Sequence, residues 1–438
     1  MTKKEKYDLA LWAMNFALKN GADQASVSIS NRISNSVEVR DEKTDKLEQA
    51  IQNSMSIRLY VDHKYSSHST NRLDKEDLSN FITEAIASTR YLSEDEFRTL
   101  PDPELYFKGD QADLKTVDPG FAGYDTRQKI NIALATEKEA LGKDDRIISI
   151  SASYYDNLSE YILITSNGFR GDSSGTRFGI NASVSVKGGD SRPESYWGES
   201  SLFFDSLKKE GIGETALKRG LKKIGQKKVP SGKMSMLIEN RQAGRILSPV
   251  ISAIYGSAIQ QKNSFLTDLK DEKVFSEKLT ITDDPFILSG RASGYFDSEG
   301  LATKKRTIID NGILRNYYID TYYAKKLGMQ PTSGDTSNLI FKAGNKMIEQ
   351  LITEVDKGIL VTGFNGGNCN GSTGDFSYGI EGFLIEKGEL TQPVSEMNIT
   401  GNMIGLWSNI LAVGNDINTN SAWLTPSILF EGVDFSGI

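Results

Sequence analysis

The sequence predicts an α+β fold, in which N-terminal domains of helices and antiparallel sheet precede a glycine-rich, mostly β C-terminal domain with a few helices. Three observations support this. An amphipathic helix and alternating apolar and polar runs open the chain, a similar order returns in its middle, and from Lys233 onward short apolar runs alternate with many glycines. We therefore expect an N-terminal domain over 1–100, a central domain over 101–228 and a C-terminal domain over 229–438.

The N-terminal domain begins with a predicted helix that ends at Gly21, a typical C-terminal stop. Runs 25–29, 37–39 and 55–61 then alternate between apolar and polar residues, which predicts an antiparallel meander with one buried face. Asp74 is well placed as the N-cap of a second helix. The apolar positions of the first helix are Leu9, Trp12, Ala13, Phe16 and Ala17.

The central domain repeats this order of elements, because a helix, three strand-like runs and a second helix follow one another. The order of 1–92 thus recurs over 125–225, and the sequence leaves open whether the two are a true internal duplication. In the C-terminal domain we expect short strands in a curved or barrel-like sheet, with helices near 240–256 and 320–328. The helices of the central domain are predicted over 125–142 and 214–224, and its strands over 147–155, 161–166 and 176–187.

Composition limits the function. The chain has 438 residues, 38% of them hydrophobic and 25% charged, which is typical of a globular protein. Its net charge of −7 argues against a nucleic-acid partner, which would require a basic patch. A single cysteine excludes an internal disulfide framework, and no run approaches the roughly 20 apolar residues of a membrane span. We expect a cytoplasmic protein without a membrane partner.

Histidine is scarce: the two histidines are His63 and His68, and the one cysteine is Cys369. A zinc site of the HExxxH type needs two histidines on one helix. The remainder of the chain after His68 contains none, so it cannot supply such a motif.

Several spaced motifs in the second half make the chain resemble the TldD/PmbA family. Members of this family were once called modulators of DNA gyrase, and its active member is a zinc peptidase. The resemblance covers nearly the whole chain, with 229–438 as the family core. The motifs occupy 296–303 (Phe-Asp-Ser-Glu-Gly-Leu-Ala-Thr), 309–314, 320–328, 365–368, 371–376, 379–382 and 400–402.

This resemblance implies that the chain itself carries no metal. The positions that match HExxxH are Leu247, Ser248 and Ser252, and the family's third ligand, a cysteine near the C-terminus, has no counterpart in 410–438. Such a departure matches the PmbA branch, also called TldE, which is the non-metal partner of the TldD peptidase. Zinc is then expected on a TldD-like partner, with peptidase activity only in the complex.

Two glycine-rich elements could contact a peptide. In the 297–300 turn, capping by Asp297 and a positive φ at Gly300 explain those residues structurally, whereas Glu299 could contact a peptide. Over 363–382, tight hairpins and a sheet edge held open for an extended peptide are weighed equally. The candidate groove or interface residues are Asp297, Glu299, Gly300, Thr303, Asn368, Gly374, Asp375, Phe376 and Glu381.

The sequence supports other kinds of catalytic or binding site less well. Either histidine could serve a Ser-His-Asp arrangement, but both lie beside a predicted hairpin turn, where a solvated side chain is the better explanation. Cys369 has no basic neighbour in sequence to lower its thiol pKa, and Asp283-Asp284 is explained by a turn. The glycines of 363–367 lack the Lys-Ser/Thr pair of a phosphate loop.

The function predicted first is therefore a PmbA/TldE-like subunit of a TldD/TldE-type zinc metallopeptidase. This complex would cleave unfolded peptides or flexible protein tails, and the present chain would shape its substrate chamber. The alternative is a non-enzymatic regulatory or binding protein acting on a partner such as DNA gyrase. A hydrolase with an unrecognised site ranks last. The chain in isolation could form a homodimer.

Overall fold

The computed structural model describes residues 1–110, 112–189 and 191–438. It is an α+β structure with one large sheet in the N-terminal half and two sheets in the C-terminal half. The helices are α1 (Lys3–Lys19), α2 (Lys75–Thr89), α3 (Thr126–Lys138), α4 (Ile212–Lys222), α5 (Asn240–Ala253), α6 (Gly256–Gln260), α7 (Thr321–Leu327), α8 (Ile348–Thr353) and α9 (Met403–Ser408).

Strands make up the rest of the regular structure. The N-terminal strands are β1 (Gln24–Arg40), β2 (Lys43–Val61), β3 (Lys64–Thr70), β4 (Ile147–Thr165), β5 (Arg170–Val186) and β6 (Glu194–Ser201). The C-terminal strands are β7 (Gly232–Ile238), β8 (Ile281–Asp284), β9 (Arg306–Asp310), β10 (Ile313–Leu314), β11 (Asn338–Phe341), β12 (Lys357–Cys369), β13 (Asp375–Glu386), β14 (Glu389–Asn402), β15 (Ile410–Val413), β16 (Trp423–Leu424) and β17 (Ile428–Ser436).

The N-terminal sheet is antiparallel, with the strand order β3-β2-β1-β4-β5-β6. Helices α1 and α2 pack on one face of it around a core that includes Ile29 and Ile57, and α3 and α4 pack on the same face around Tyr154 and Phe178. The predicted first helix ends at Lys19 with Asn20 as its C-cap, followed by Gly21 at φ +106°. Asp74 caps α2 as predicted, its carboxylate accepting from the Asp77 N–H.

The N-terminal strands are longer than the apolar alternation predicts, and two pairs of predicted runs are each one continuous strand. The runs 25–29 and 37–39 belong to the single strand β1, and 147–155 and 161–166 both belong to β4. The alternation is interrupted because buried polar residues occupy the helix-covered face between the runs. There Asn35 donates to the Asp156 carboxylate at 2.6 Å, and Lys129 of α3 pairs with the same carboxylate at 2.7 Å.

Pairing of β1 with β4 joins the predicted N-terminal and central domains in one continuous sheet. The domain boundaries at 100 and 228 remain predictions.

The C-terminal half contains a barrel-like sheet, in agreement with the predicted mostly β domain. Its order is β14-β13-β12-β7-β17-β15, and an additional pairing of β14 with β17 closes five strands on themselves. The second sheet has the order β10-β9-β8-β11-β16. Helix α5 packs Ile246 and Leu247 into the core between them, where Trp407 is fully buried. Within the described residues, no helix is long and apolar enough to span a membrane.

Candidate functional site

A cleft of about 460 Å³ separates the edge strand β6 of the N-terminal sheet from α5 and β12 of the C-terminal domain. Helix α4 forms one side of it, with Arg219 in its last turn and Lys223 directly after its end, four residues apart. Glu239, which precedes α5, accepts both Arg219 terminal nitrogens at 2.7 and 2.8 Å. This bidentate pair fixes α4 against the start of α5.

Two further ion pairs cross the cleft. Lys223 Nζ lies 2.5 Å from Glu381 Oε1 on β13 and also donates to the Glu194 carbonyl oxygen at 2.7 Å. Arg241 of α5 donates to Glu199 of β6 at 2.6 Å. Each pair joins the two halves of the chain, so the cleft has a defined width.

Trp197 of β6 lies close to two of these cations. The guanidinium carbon of Arg241 is 3.7 Å from the indole ring centroid, and that of Arg219 is 5.0 Å away. Both distances are in the range of cation–π attraction. The Trp197 ring nitrogen is buried and has no hydrogen-bond partner within the described part of the chain. The cleft thus combines paired charges with one aromatic surface.

Side chains occupy much of the outer edge of β6. The Gly198 carbonyl oxygen accepts from Arg241, that of Ser200 from Arg291, and the Ser200 N–H donates to Asn420. Tyr196, in the middle of this edge, is 60% exposed. The backbone of β6 is therefore accessible for pairing over a short stretch around Tyr196 only.

On the opposite side of the cleft, β12 extends beyond its neighbour β7. Parallel pairing ends at Val361, and the following glycines pair only with β13, with irregular register. Gly363 lets the Glu381 side chain pass close to the backbone, because a Cβ atom there would lie 2.5 Å from Glu381 Oε1 and would displace that side chain. Arg245 donates to the Gly367 carbonyl oxygen at 3.1 Å. The glycine-rich segment is thus a bulged hairpin whose outer edge faces α5.

The 297–300 turn lies elsewhere, where the C-terminal domain contacts the N-terminal sheet. Asp297 accepts backbone N–H groups of Glu299, Leu301 and Gly334, which is the capping role the sequence predicts. Gly300 has φ +91°, and a Cβ there would lie 2.7 Å from the Phe169 ring. The turn therefore forms a tight joint between the two halves of the chain.

Burial raises the pKa of both carboxyl groups in this turn. The pKa of Asp297 rises to about 6 and that of Glu299 to about 7. Glu299 accepts the Thr321 N–H at 2.9 Å at the start of α7, and it lines a cavity of about 200 Å³ with Arg58 and Arg98. Thr303 donates to the Gly294 carbonyl oxygen at 2.6 Å.

The tip of the β12–β13 hairpin forms a third location. Gly374 has φ +79° and packs against Phe265, Phe376 is buried in the core, and Asp375 accepts from Thr373 at 2.7 Å. Asn368 is exposed. The candidate residues therefore lie in three separate places, and of them only Glu381 lines the cleft.

The positions matching HExxxH do not converge. Leu247 is fully buried in the core, whereas Ser248 and Ser252 are exposed on α5. In the described part of the chain, His, Cys, Asp and Glu side chains do not group in threes or more in a way that could hold a metal ion.

Both histidines lie far from the cleft. His63 is exposed in the β2–β3 turn with φ +60°, and His68 on β3 contacts Ser66 Oγ at 2.9 Å. Burial lowers the His68 pKa and raises that of the Cys369 thiol.

Sequence reasoning missed most of the cleft. The missed residues are Trp197 on β6, Arg219 and Lys223 on and directly after α4, and Glu239 and Arg241 directly before and on α5, so no single motif contains them. The one available signal is the four-residue spacing of cations at the end of α4 and again, as Arg241 and Arg245, on α5.

Comparisons with known proteins give consistent results over the whole chain. Family models described as PmbA/TldA metallopeptidase domain 1, central domain and C-terminal domain match residues 25–89, 119–224 and 231–437. A Haemophilus influenzae protein named metalloprotease PmbA homolog is 31% identical over 431 residues, which cover 97% of this chain and 95% of that protein.

Solved structures are also similar. A Bacteroides thetaiotaomicron protein whose crystal structure is named as that of a modulator of DNA gyrase is 51% identical, with a TM-score of 0.98 and full coverage of both chains. The crystal structure of TldE from Thermococcus kodakarensis has a TM-score of 0.86 at 20% identity and covers 98% of this chain and 100% of that chain. At this identity the second likeness concerns the fold alone.

Proposed function

This chain belongs to the TldD/PmbA metallopeptidase family, and we propose that it is the PmbA/TldE-like subunit of a two-component zinc peptidase. In this proposal the zinc lies on a TldD-like partner, and the complex cleaves unfolded peptides or flexible protein tails. The present chain contributes walls of the chamber in which cleavage occurs.

The observation that carries the proposal is the composition of α5. In the catalytic branch this region holds the two histidines and the general-base glutamate, whereas here the matching positions are Leu247, Ser248 and Ser252. Leu247 faces the core and the serines face outward, so even the directions of these side chains do not suit a shared metal. The chain thus depends on a partner for the chemistry.

We assign peptide contact to the cleft between β6 and β12. One wall is the glycine-rich edge of β12 and the other is β6, whose backbone is accessible around Tyr196. An extended peptide can add to such a strand edge through its main chain, which accepts varied sequences. Glu381 and Lys223 border the glycine-rich edge of β12, so they are the first candidates for contact with a passing chain. Asp297, Glu299, Gly300 and Thr303 are proposed to hold the two halves of the chamber wall together.

Metal analysis and peptide hydrolysis test the proposal. The chain is assayed alone, with a TldD-like subunit from the same source, and with that subunit carrying glutamine in place of the glutamate of its HExxxH motif. We expect hydrolysis only in the mixture with the intact partner, and at most substoichiometric zinc on this chain. Stoichiometric zinc together with chelator-sensitive hydrolysis by the isolated chain would overturn the proposal.

The name of the Bacteroides relative favours one alternative, a regulatory protein that binds DNA gyrase. Affinity purification of the tagged chain from its source distinguishes the two. Stoichiometric recovery of a TldD-like chain supports the peptidase subunit, and recovery of gyrase in its place supports the regulator.

A further inference from the structure

Within the described residues, one face of the N-terminal sheet carries no helix. Because side chains alternate along a strand, the residues next in sequence to the core residues Val27, Ile57 and Ile180 face the other way. That face, which we name the open face, is dominated by serine. Its serines include Ser28, Ser30, Ser34, Ser36, Ser54, Ser56, Ser151, Ser153, Ser159, Ser173 and Ser183.

The C-terminal domain touches the open face at several places. Arg58 donates to the Ser298 carbonyl oxygen, and Tyr161 and Ser173 line a cavity shared with 292–298. At one end a Cβ at Gly171 would lie 2.9 Å from the Phe296 ring, and at the other end Arg291 donates to the Ser200 carbonyl oxygen. Between these contacts Arg32, Ser159 and Ser173 are exposed. The middle of the face is therefore open to a ligand, and the cleft opens beside it at Tyr155.

Charges on the central strands are sorted between the two faces. The acidic side chains of β4 turn toward the helices, where Asp156 pairs with Lys129 and Glu160 pairs with Lys6. Arg32 on β1 instead lies on the open face, beside Ser159.

Arg177 on β5 also lies on the open face, opposite Asn157 of β4. Neither Arg32 nor Arg177 forms an ion pair with a carboxylate of the described residues. Acidic side chains of the open face lie toward its far end, where Glu38 is 3.9 Å from Arg40 and Glu48 is 2.8 Å from Lys46. The centre of the face is therefore positive, although the whole chain carries a net charge of −7.

We propose that the open face binds acidic, extended polypeptide segments, with Arg32 and Arg177 as the groups that select for carboxylates. This rests on the proposed function, since it names the class of peptide that the chamber favours. Serine hydroxyls both donate and accept hydrogen bonds, so they serve any backbone without reading its sequence. Guanidinium groups pair with carboxylates, so they supply the charge preference.

The spacing of the two arginines indicates the peptide pattern. They are two strands apart and offset by two residues, which corresponds to roughly 12 Å from typical strand dimensions. An extended chain spans this distance in about four residues, so two acidic residues at i and i+4 match both guanidiniums. A peptide is favoured over a nucleic acid because two unpaired cations among hydroxyls are few for a phosphate backbone.

Fluorescence anisotropy with labelled peptides tests the proposal on the full chain, alone and with its TldD-like partner. Three unstructured Gly-Ser peptides of equal length carry two aspartates at i and i+4, two lysines at those positions, or no charge. The test variant is Arg32→Gln with Arg177→Gln, and the matched control is Arg127→Gln, an exposed arginine of α3 on the helix side of the sheet. Circular dichroism and a melting curve verify folding of each variant.

We expect the acidic peptide to bind more tightly than the lysine peptide, with an affinity that falls as salt is added. The double variant is expected to bind the acidic peptide about tenfold more weakly, from the loss of two solvent-exposed charge pairs, while Arg127→Gln leaves it unchanged. Equal binding of all three peptides would overturn the charge selection and leave the proposed function standing. Binding of none of them, with or without the partner, would contradict both. Tighter binding of a single-stranded oligonucleotide than of the acidic peptide would assign the face to nucleic acid instead.

Discussion

Lys223 Nζ lies 2.5 Å from Glu381 Oε1, and this ion pair joins the end of α4 in the N-terminal half to β13 of the C-terminal barrel. The two side chains are 14% and 20% exposed, so water screens their attraction less than at the surface. The same Glu381 side chain passes over Gly363, where a Cβ would lie 2.5 Å from its oxygen. One carboxylate thus fixes both the junction of the two halves and the wall of the cleft.

The first prediction concerns this pair. We expect Lys223→Met to lower the free energy of unfolding by about 1–2 kcal/mol, because Glu381 would remain in the cleft without its cation. Lys218→Met, which breaks an exposed pair with Glu214, is the matched control and should cost less than about 0.5 kcal/mol. Denaturant unfolding measures both, and a double-mutant cycle with Glu381→Gln isolates the coupling. Equal losses in the two lysine variants would show that the cleft pair stabilises no more than a surface one.

The second prediction is a pH dependence centred on Glu299, whose pKa burial raises to about 7 from an ordinary 4.5. The folded chain therefore holds this proton more tightly than the unfolded chain does. Stability from this group is fully present below pH 4.5 and is lost as the pH rises toward 7. Glu299→Gln should flatten that decline and gain about 2 kcal/mol relative to the parent above pH 7, after discounting for partial solvation.

Free energies of unfolding of the parent chain and of Glu299→Gln, measured across this pH range, test the sign. Asp297, whose pKa is raised to about 6, contributes a slope of the same sign in both proteins. Because the charge of Asp297 also raises the pKa of Glu299, the difference between the two curves reports Glu299 together with its coupling to Asp297. Parallel curves for parent and variant would show that Glu299 titrates normally in the folded chain.

The third prediction separates a steric clash from backbone strain at Gly300. Gly300→Ala should destabilise by roughly 3 kcal/mol or more, because the methyl group meets Phe169 and the backbone has a positive φ. Gly328→Ala is the control, since Gly328 ends α7 at φ +64° with open space around it and suffers the strain alone, about 1 kcal/mol. Thermal unfolding measures the difference. A loss at Gly300 no greater than at Gly328 would mean that Phe169 moves aside freely.

Sequence patterns predicted local structure well and long-range geometry poorly, for physical reasons. Asp74 and Gly21 mark helix ends through bonds to nearby backbone, so their signals are local. The length of β1 escaped prediction because the half-buried Asn35 donates to Asp156, a partner 121 residues away in sequence. The cleft escaped for the same reason, since Arg219 and Glu239 gain their roles only when α4 and α5 meet. The 297–300 turn was predicted as a turn, but its contact with Phe169 depends on the tertiary fold.

The last prediction uses Trp197 as a reporter of the cleft. Its indole lies 3.7 Å from the Arg241 guanidinium carbon, so a peptide that enters the cleft and displaces this cation must change the surroundings of the ring. Peptide addition should therefore change tryptophan emission in the parent chain and leave the emission of the Trp197→Phe variant almost unchanged. Trp12→Phe is the matched control, because Trp12 lies on α1 at the helix-covered face and contacts Phe16 and Lys75. If Trp197→Phe kept the full signal and Trp12→Phe lost it, peptide would bind on the helix side of the N-terminal sheet, and the cleft would not be the peptide site.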